Sequence, residues 1–190
     1  MTTMTRAALR AVLAAIFTCS APALAWTEND CEREMARAAR SYGVPLGVLY
    51  AVGLAETGRG GSLRPYALNI GGKAIYDVGK QDALRRVQEA RLAGVKMIDI
   101  GCMQINHHFH ARSFSSVEDM LDPSKNVDYA ARFLQELKVR EGSWTMAVAR
   151  YHAGPDNDPA QKRYVCRVIA NLVASGFGAW TEDARAFCQP

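Results

Sequence analysis

Residues 44–55 contain no charged side chain, and this run has Pro45 near its start and Gly58 just past its end. Proline is favoured in the first turn of a helix and glycine just after the last, so the run is predicted to be a helix. Its apolar side chains cover almost every direction around that helix: Leu46, Val48, Leu49, Tyr50, Val52, Leu54 and Ala55. A helix that is apolar all round must be buried, so the rest of the chain has to pack around it.

Glu56 follows this run directly. The predicted helix carries its carboxyl to the edge of a core, at the helix end where the backbone dipole is negative. Burial and the dipole both disfavour a carboxylate, so the sequence predicts a raised pKa for Glu56. A carboxyl that stays protonated near neutral pH can act as a general acid. The alternative is an ordinary glutamate at a solvated helix end, and a second signal is needed to choose between them.

The first 25 residues have the pattern of an export signal. Arg6 and Arg10 precede an apolar stretch at residues 11–17, and an Ala-Leu-Ala triplet ends at residue 25. This order is typical of a cleaved signal peptide, and the apolar stretch is too short to span a membrane. We therefore expect residues 26–190 to be a single periplasmic domain without a membrane anchor, in which residues 177–190 form a tail that packs back.

The charge of the chain is only mildly basic. Removal of Arg6 and Arg10 with the signal lowers the formal net charge by two, from +4 to +2. That balance is compatible with an anionic cell-wall polymer, but it is too weak for a nucleic-acid-binding surface.

Four cysteines remain after the signal: Cys31, Cys102, Cys166 and Cys188. An even number in an oxidising compartment favours disulfides, and no C-x-x-C or C-x-x-H spacing indicates a metal site. Four cysteines can pair in three ways, among which spacing alone does not choose. We expect Cys31 to pair with Cys188, which would join the two ends, and Cys102 to pair with Cys166.

The remaining pattern is mainly helical with one small sheet. Helices are predicted from residue 29 or 30 to 43, and at 81–92, 122–141, 144–151 and 158–174. Residues 66–70 and 73–76 alternate around Gly71-Gly72, which predicts a hairpin, and residues 95–100 predict a third strand. The expected fold class is therefore α+β, mainly α-helical, with a small antiparallel sheet.

The second signal is the sequence Gly-Cys-Met-Gln-Ile-Asn at residues 101–106, directly after the third strand. Alternation along a strand would place Gln104 and Asn106 on one face and Met103 and Ile105 on the other. Amides offer both donors and acceptors, which suits the hydroxyl and N-acetyl groups of a sugar polymer. A strand-to-helix turn with surface amides is the alternative interpretation.

Glu56, residues 101–106 and the sequence Ala-Arg-Tyr-His-Ala-Gly at 149–154 occur in a recognisable order. The chain resembles the soluble lytic transglycosylase (SLT) domain, which is similar to goose-type lysozyme and belongs to glycoside hydrolase family 23. The resemblance covers roughly residues 42–168. The family pattern is a glutamate usually followed by serine, then G-x-M-Q, then A-x-Y-N-A-G. This chain has Thr57 at the serine position, which keeps the hydroxyl, and His152 at the asparagine position, whose role stays open.

The resemblance implies a lysozyme-like domain with the sheet beside its active-site cleft. It also implies a lytic transglycosylase that cuts the MurNAc–GlcNAc β-1,4 bond of peptidoglycan and leaves a 1,6-anhydroMurNAc end without a cofactor. Glu56 would be the catalytic acid and base. Met103, Gln104 and Asn106 would line the sugar groove, and the hydroxyl of Tyr151 would orient the carboxyl or the reacting sugar.

The stretch between Glu56 and Gly101 is longer than in compact members of that family. It resembles the longer version in small exported transglycosylases that serve flagella or secretion systems. Components of such an apparatus would then be protein partners, and Tyr66 and Asn69 would contribute to the groove.

Two other functions remain open. A hydrolytic lysozyme of the same fold would need a second carboxylate to activate water, and Asp99 and Asp77 are the candidates near the predicted sheet. A non-catalytic wall-binding or assembly factor is the other alternative, although burying Glu56 without a use would be costly.

A histidine cluster raises the question of a metal. Its members are His107, His108 and His110, with His152 further along the chain. No H-E-x-x-H spacing is present, so we expect polar loop or first-turn histidines and no metal site.

Overall fold

The computed structural model describes residues 29–58, 61–154 and 156–189, and every structural statement below concerns these residues. The predicted signal peptide lies outside them. Within them, no helix combines the length and apolar character that a membrane span requires.

The described residues form a mainly α-helical α+β fold, as predicted. The helices are α1 (Asp30–Tyr42), α2 (Leu46–Thr57), α3 (Lys80–Leu92), α4 (His107–His110), α5 (Val117–Leu121), α6 (Pro123–Glu141), α7 (Trp144–His152), α8 (Asp158–Ala174) and α9 (Glu182–Cys188). The strands are β1 (Leu68–Ile70), β2 (Lys73–Ile75), β3 (Ile98–Ile100) and β4 (Ile105–Asn106), which pair antiparallel in the order β2-β1-β3-β4.

The apolar run forms α2, and the prediction of a helix buried on all sides is confirmed. No residue from 46 to 57 is exposed. Pro45 is the N-cap of α2 rather than its first helical residue, so the helix begins one residue later than predicted, at Leu46. α2 packs mainly against α8 and α1. A side chain at Gly53 would meet the terminal methyl group of Met35 in α1, which would have to move to make room.

The sheet is a small wall beside the helices. Gly71 and Gly72 have φ angles of +59° and +88°, which is the conformation that a two-residue hairpin loop needs, and the predicted hairpin is confirmed. β3 is shorter than predicted because β1 offers only three residues for pairing. Met97, before β3, is instead 47% exposed.

The long helices of the second half begin and end near their predicted positions. Asp122 caps α6 by accepting from the backbone N–H of Lys125, and Pro123 occupies the first turn. The predicted apolar stripe of α6 is buried: Val127, Ala130, Ala131, Leu134 and Leu137. α6 packs between α1 and α7, and α7 packs on α8, so the helices enclose α2.

The disulfide pairing differs from the prediction. Cys31 bonds to Cys102 and Cys166 bonds to Cys188, with Cα separations of 5.7 and 5.6 Å. The expected Cys31–Cys188 and Cys102–Cys166 pairs are wrong because the fold places the first turn of α1 against the turn after β3. α9 lies against α8 instead of α1. Phe177, at the start of the tail, packs on α2 with its ring 5.7 Å from that of Tyr50.

Candidate active site

Glu56 lies in the last turn of α2, at the edge of the core. Its side chain is only 16% exposed, and its Oε1 accepts a 2.6 Å hydrogen bond from the hydroxyl of Tyr164. The ring of His152 is also close, with Nδ1 3.9 Å from the same oxygen. Three elements, α2, α7 and α8, therefore meet at this carboxyl.

Tyr164 was not identified from the sequence. It lies on the buried face of α8 and is 2% exposed. Burial, followed by the nearby carboxyl of Glu56, raises the pKa of Tyr164 well above its ordinary value of 10. The hydroxyl therefore stays protonated and donates to Glu56. The sequence did hold a signal for it: Gln161, Tyr164 and Val168 are spaced three and four residues apart, which puts them on one face of α8. A tyrosine on such a buried face needs a polar partner for its hydroxyl.

His152 lies flat on Tyr164. The two ring centroids are 4.1 Å apart, and the ring planes differ by 1°. The side chain of His152 is 43% exposed, so the imidazole also borders the open side of the site.

Tyr151 is close to Glu56 but bonds elsewhere. Its hydroxyl donates a 2.9 Å hydrogen bond to the carbonyl of Met103. Burial raises its pKa well above 10, and the carboxyls of Glu56 and Asp99 add to that shift. The hydroxyl that contacts the Glu56 carboxyl is that of Tyr164, and orientation of the reacting sugar by Tyr151 stays a prediction.

Thr57 joins the end of α2 to the turn at residues 101–104. It is fully buried, and its hydroxyl lies 3.2 Å from the carbonyl oxygens of both Gly53 and Cys102. A single hydroxyl proton serves one of these acceptors at a time. The hydroxyl that threonine shares with serine therefore ties Glu56's helix to that turn.

The side chain of Asn126 in α6 holds the turn at residues 101–104 in place by hydrogen bonds. This buried amide accepts from the backbone N–H of Met103 at 2.9 Å and donates to the carbonyls of Ile100 and Met120 at 2.9 and 2.8 Å. Gly101 has a φ of +80°, and a Cβ added there would lie 2.7 Å from Nδ2 of Asn126. Only glycine therefore suits this position.

The predicted groove residues of the turn behave differently from one another. Met103 is fully buried, so the prediction that its side chain lines the groove is wrong: it packs in the core near Gly53. Gln104 is half-buried, and its amide donates to the carbonyls of Ala67 and Gly101 at 3.0 and 3.1 Å. Because backbone acceptors occupy those donors, the side-chain oxygen Oε1 is the atom of Gln104 that can accept a hydrogen bond from another group.

A row of three polar residues crosses the sheet. Asn69 of β1, Asp99 of β3 and Asn106 of β4 are cross-strand neighbours. We call them the polar row. The side-chain nitrogen of Asn106 donates a 2.6 Å hydrogen bond to Asp99. The side-chain oxygen of Asn106 accepts from the backbone N–H of His108, at the start of α4.

Asp99 is the second carboxyl near the site. Burial raises its pKa above the usual 3.8, the hydrogen bond from Asn106 lowers it, Glu56 raises it and His152 lowers it. These charges show that Asp99, Glu56 and His152 share one electrostatic environment. Asp77, the other candidate, is exposed and pairs with Arg64 at 3.3 Å.

Tyr66 is not brought to Glu56 by any contact that the structure shows. Burial raises its pKa, and the carboxyls that add to the shift are those of Asp30 and Asp122. These residues mark the starts of α1 and α6, so the structure gives no support to a groove role for Tyr66.

The histidine cluster lies in α4, beside the sheet. His110 shares a 2.8 Å hydrogen bond with the hydroxyl of Tyr129, and burial lowers its pKa. Burial, Arg91 and His108 lower the pKa of His107. Among the described residues, no group of three or more histidine, cysteine, aspartate or glutamate side chains is arranged to hold a metal ion.

Comparison with known proteins gives one match. The family model described as the transglycosylase SLT domain matches residues 34–170. That range runs from α1 through most of α8 and contains Glu56, the polar row, His152 and Tyr164. No curated protein and no solved structure matches the chain.

Proposed function

Because the chain belongs to the transglycosylase SLT domain family, we propose that it is a peptidoglycan lytic transglycosylase with Glu56 as its catalytic acid and base. The observation that carries this proposal is the largely buried Glu56 carboxyl, held through Oε1 by Tyr164 at 2.6 Å. A carboxyl fixed in this way at the edge of a core has the placement that general acid catalysis requires.

In the first step, Glu56 protonates the glycosidic oxygen between MurNAc and GlcNAc, and the C1–O bond breaks. Tyr164 already donates to Oε1, so the reactive proton is assigned to Oε2. As the proton leaves, the Tyr164 hydrogen bond becomes charge-assisted and stabilises the carboxylate that forms. The substrate's own N-acetyl group stabilises the sugar cation, as in substrate-assisted glycosidases.

In the second step, the Glu56 carboxylate takes the proton from the C6 hydroxyl of the same MurNAc. The C6 oxygen then bonds to C1 and gives the 1,6-anhydro end. The proton lost in the first step is regained in the second, so Glu56 returns to its acid form and no water is consumed. Intramolecular attack of this kind needs little beyond correct positioning of the ring.

Hydrolysis by the same fold is the second candidate, and Asp99 is the observation that favours it. It shares the electrostatic environment of Glu56 and could hold a water. A base that activates water must be ionised, however, and burial disfavours the Asp99 carboxylate. Its hydrogen bond from Asn106 instead suits a fixed structural carboxyl in the cleft wall.

The test is mass spectrometry of the products formed from purified peptidoglycan by the disulfide-bonded protein. We expect products ending in 1,6-anhydroMurNAc, with a loss of rate of about a thousandfold in Glu56→Gln. Glu118→Gln, in the exposed part of α5, is the matched control and should retain the rate.

Asp99→Asn separates the two reactions. A transglycosylase would still form anhydro ends in this variant. Reducing MurNAc ends, heavier by one water and lost in Asp99→Asn, would establish a lysozyme instead. No cleavage by the wild-type protein would support a wall-binding or assembly factor.

We further propose that the enzyme works in the periplasm, in local wall remodelling around an envelope-spanning machine. The export pattern of residues 1–25 and the long segment between Glu56 and Gly101 support this role. Recovery from the periplasmic fraction of a protein whose mass lacks residues 1–25 is the expected result. A full-length mass in the cytoplasmic fraction would contradict it.

A further inference from the structure

His152 occupies the position where the family pattern has asparagine, and nothing in the proposed reaction requires a histidine there. Its ring nevertheless makes the closest ring contact described in the protein, parallel to Tyr164 at 4.1 Å. Tyr164 in turn holds Glu56. The three side chains therefore form a chain of contacts from the partly exposed imidazole to the carboxyl.

Tyr164 has one polar contact that fixes its hydroxyl, the hydrogen bond to Glu56. Rotation or tilting of the ring would lengthen that bond, and a misplacement of about 1 Å can cost about a hundredfold in rate. A flat ring packed against the phenol restricts such tilting. An asparagine side chain is smaller and could not cover the phenol in the same way.

Resting on the proposed function, we propose that His152 is a positioning residue whose stacked ring keeps the Tyr164 hydroxyl on Glu56. The contact acts through the shape of the ring. Nδ1 lies 3.9 Å from Oε1 of Glu56, which is beyond hydrogen-bonding distance, and the side chain is 43% exposed, so solvent screens its charge.

The test compares His152→Phe with His152→Ala. Phenylalanine keeps a flat ring and removes both ring nitrogens, whereas alanine removes the ring. We expect His152→Ala to lower kcat about tenfold with KM changed less than about twofold, because the defect lies in positioning the acid. His152→Phe should keep kcat within about threefold of the wild type, with an unchanged pH profile.

Tyr164→Phe shows whether His152 acts through Tyr164. If it does, adding His152→Ala to Tyr164→Phe should lower kcat by less than about twofold, because the hydroxyl that His152 positions is already gone. If the double variant instead loses kcat by the product of the losses in His152→Ala and Tyr164→Phe, the two residues act independently and the proposal is overturned. A His152→Phe variant as impaired as His152→Ala would also overturn it, since a ring nitrogen would then be essential.

A second measurement does not depend on activity. A ring stacked at 4.1 Å should shift the NMR signals of the Tyr164 ring protons upfield in the free wild type and in His152→Phe, and the shift should disappear in His152→Ala. Unchanged Tyr164 signals in His152→Ala would overturn the inference even if anhydro products form. Absence of anhydro products with the shift present would instead contradict the proposed function.

Discussion

The hydroxyl of Tyr164 donates a 2.6 Å hydrogen bond to Oε1 of Glu56, across 108 positions of the sequence. The bond joins the end of the most apolar helix to the middle of α8, and both partners are largely buried. A hydrogen bond between a neutral phenol and a carboxyl at this site fixes one oxygen of the carboxyl and leaves the other for chemistry.

Replacement of Tyr164 by phenylalanine should lower kcat by about 10- to 100-fold. A hydrogen bond to a charged group contributes about 1.5–3 kcal/mol, and here it would be strongest after Glu56 has lost its proton. Steady-state kinetics on purified peptidoglycan measures the effect. Tyr129→Phe, which loses the bond to His110, is the control and should retain kcat. Equal losses in both variants would point to a general effect on folding.

Replacement of Gly101 by alanine should destabilise the protein by more than about 2 kcal/mol. The φ of +80° disfavours any side chain, and the new Cβ would meet Asn126 at 2.7 Å. Gly94→Ala is a matched control, because its φ is +77° but the space around it is open. It should cost only about 1 kcal/mol. Urea denaturation measures both, and equal costs would show that the contact with Asn126 does not matter.

The two disulfides should differ in their contribution to stability. In the chain-entropy description, the Cys31–Cys102 bond, with a separation of 71 residues, contributes about 4 kcal/mol, and the Cys166–Cys188 bond, with a separation of 22, about 3 kcal/mol. Urea denaturation of the two double-alanine variants tests this order.

The Cys31–Cys102 bond is attached to the turn at residues 101–104, which Thr57 ties to the helix of Glu56. Its removal should therefore also lower activity, whereas removal of Cys166–Cys188 should not. Peptide mapping of the oxidised protein checks the pairing itself. A Cys31–Cys188 fragment would contradict the structure.

The stability of Asp99→Asn relative to the wild type should increase with pH. Burial raises the pKa of Asp99 in the folded protein above its usual 3.8. Well below the unfolded pKa of 3.8, the carboxyl is protonated whether the chain is folded or unfolded, so burial carries no charge penalty. Between the unfolded pKa and the higher folded pKa, the unfolded chain ionises first, so the wild type loses stability as the pH rises through this range. Asparagine does not titrate and avoids this loss.

Urea denaturation at about pH 3 and pH 7 measures this difference for Asp99→Asn. A relative stability that instead falls with pH would mean that the fold favours the Asp99 carboxylate. That outcome would strengthen the case for hydrolysis, because an ionised Asp99 could serve as the base for water.

Local features of the sequence determined the elements that present the site. The uncharged run before Glu56 predicted a buried helix, and Gly71-Gly72 predicted the hairpin, because a side-chain period or a turn residue expresses its preference within a few positions. The capping box of Asn29 and Glu32 at the start of α1 is equally local. The position of Glu56 at the edge of the core followed from the same helix.

Tertiary packing decided which side chains meet there. The Tyr164–Glu56 bond, the stacked His152, the polar row around Asp99 and both disulfides join segments whose approach depends on how whole helices pack. Met103 shows the same limit, since the family resemblance placed it in the groove, whereas the fold packs its side chain in the core near Gly53. Periodicity fixes which face of an element is apolar, whereas the partner of that face is chosen by close packing of the entire core.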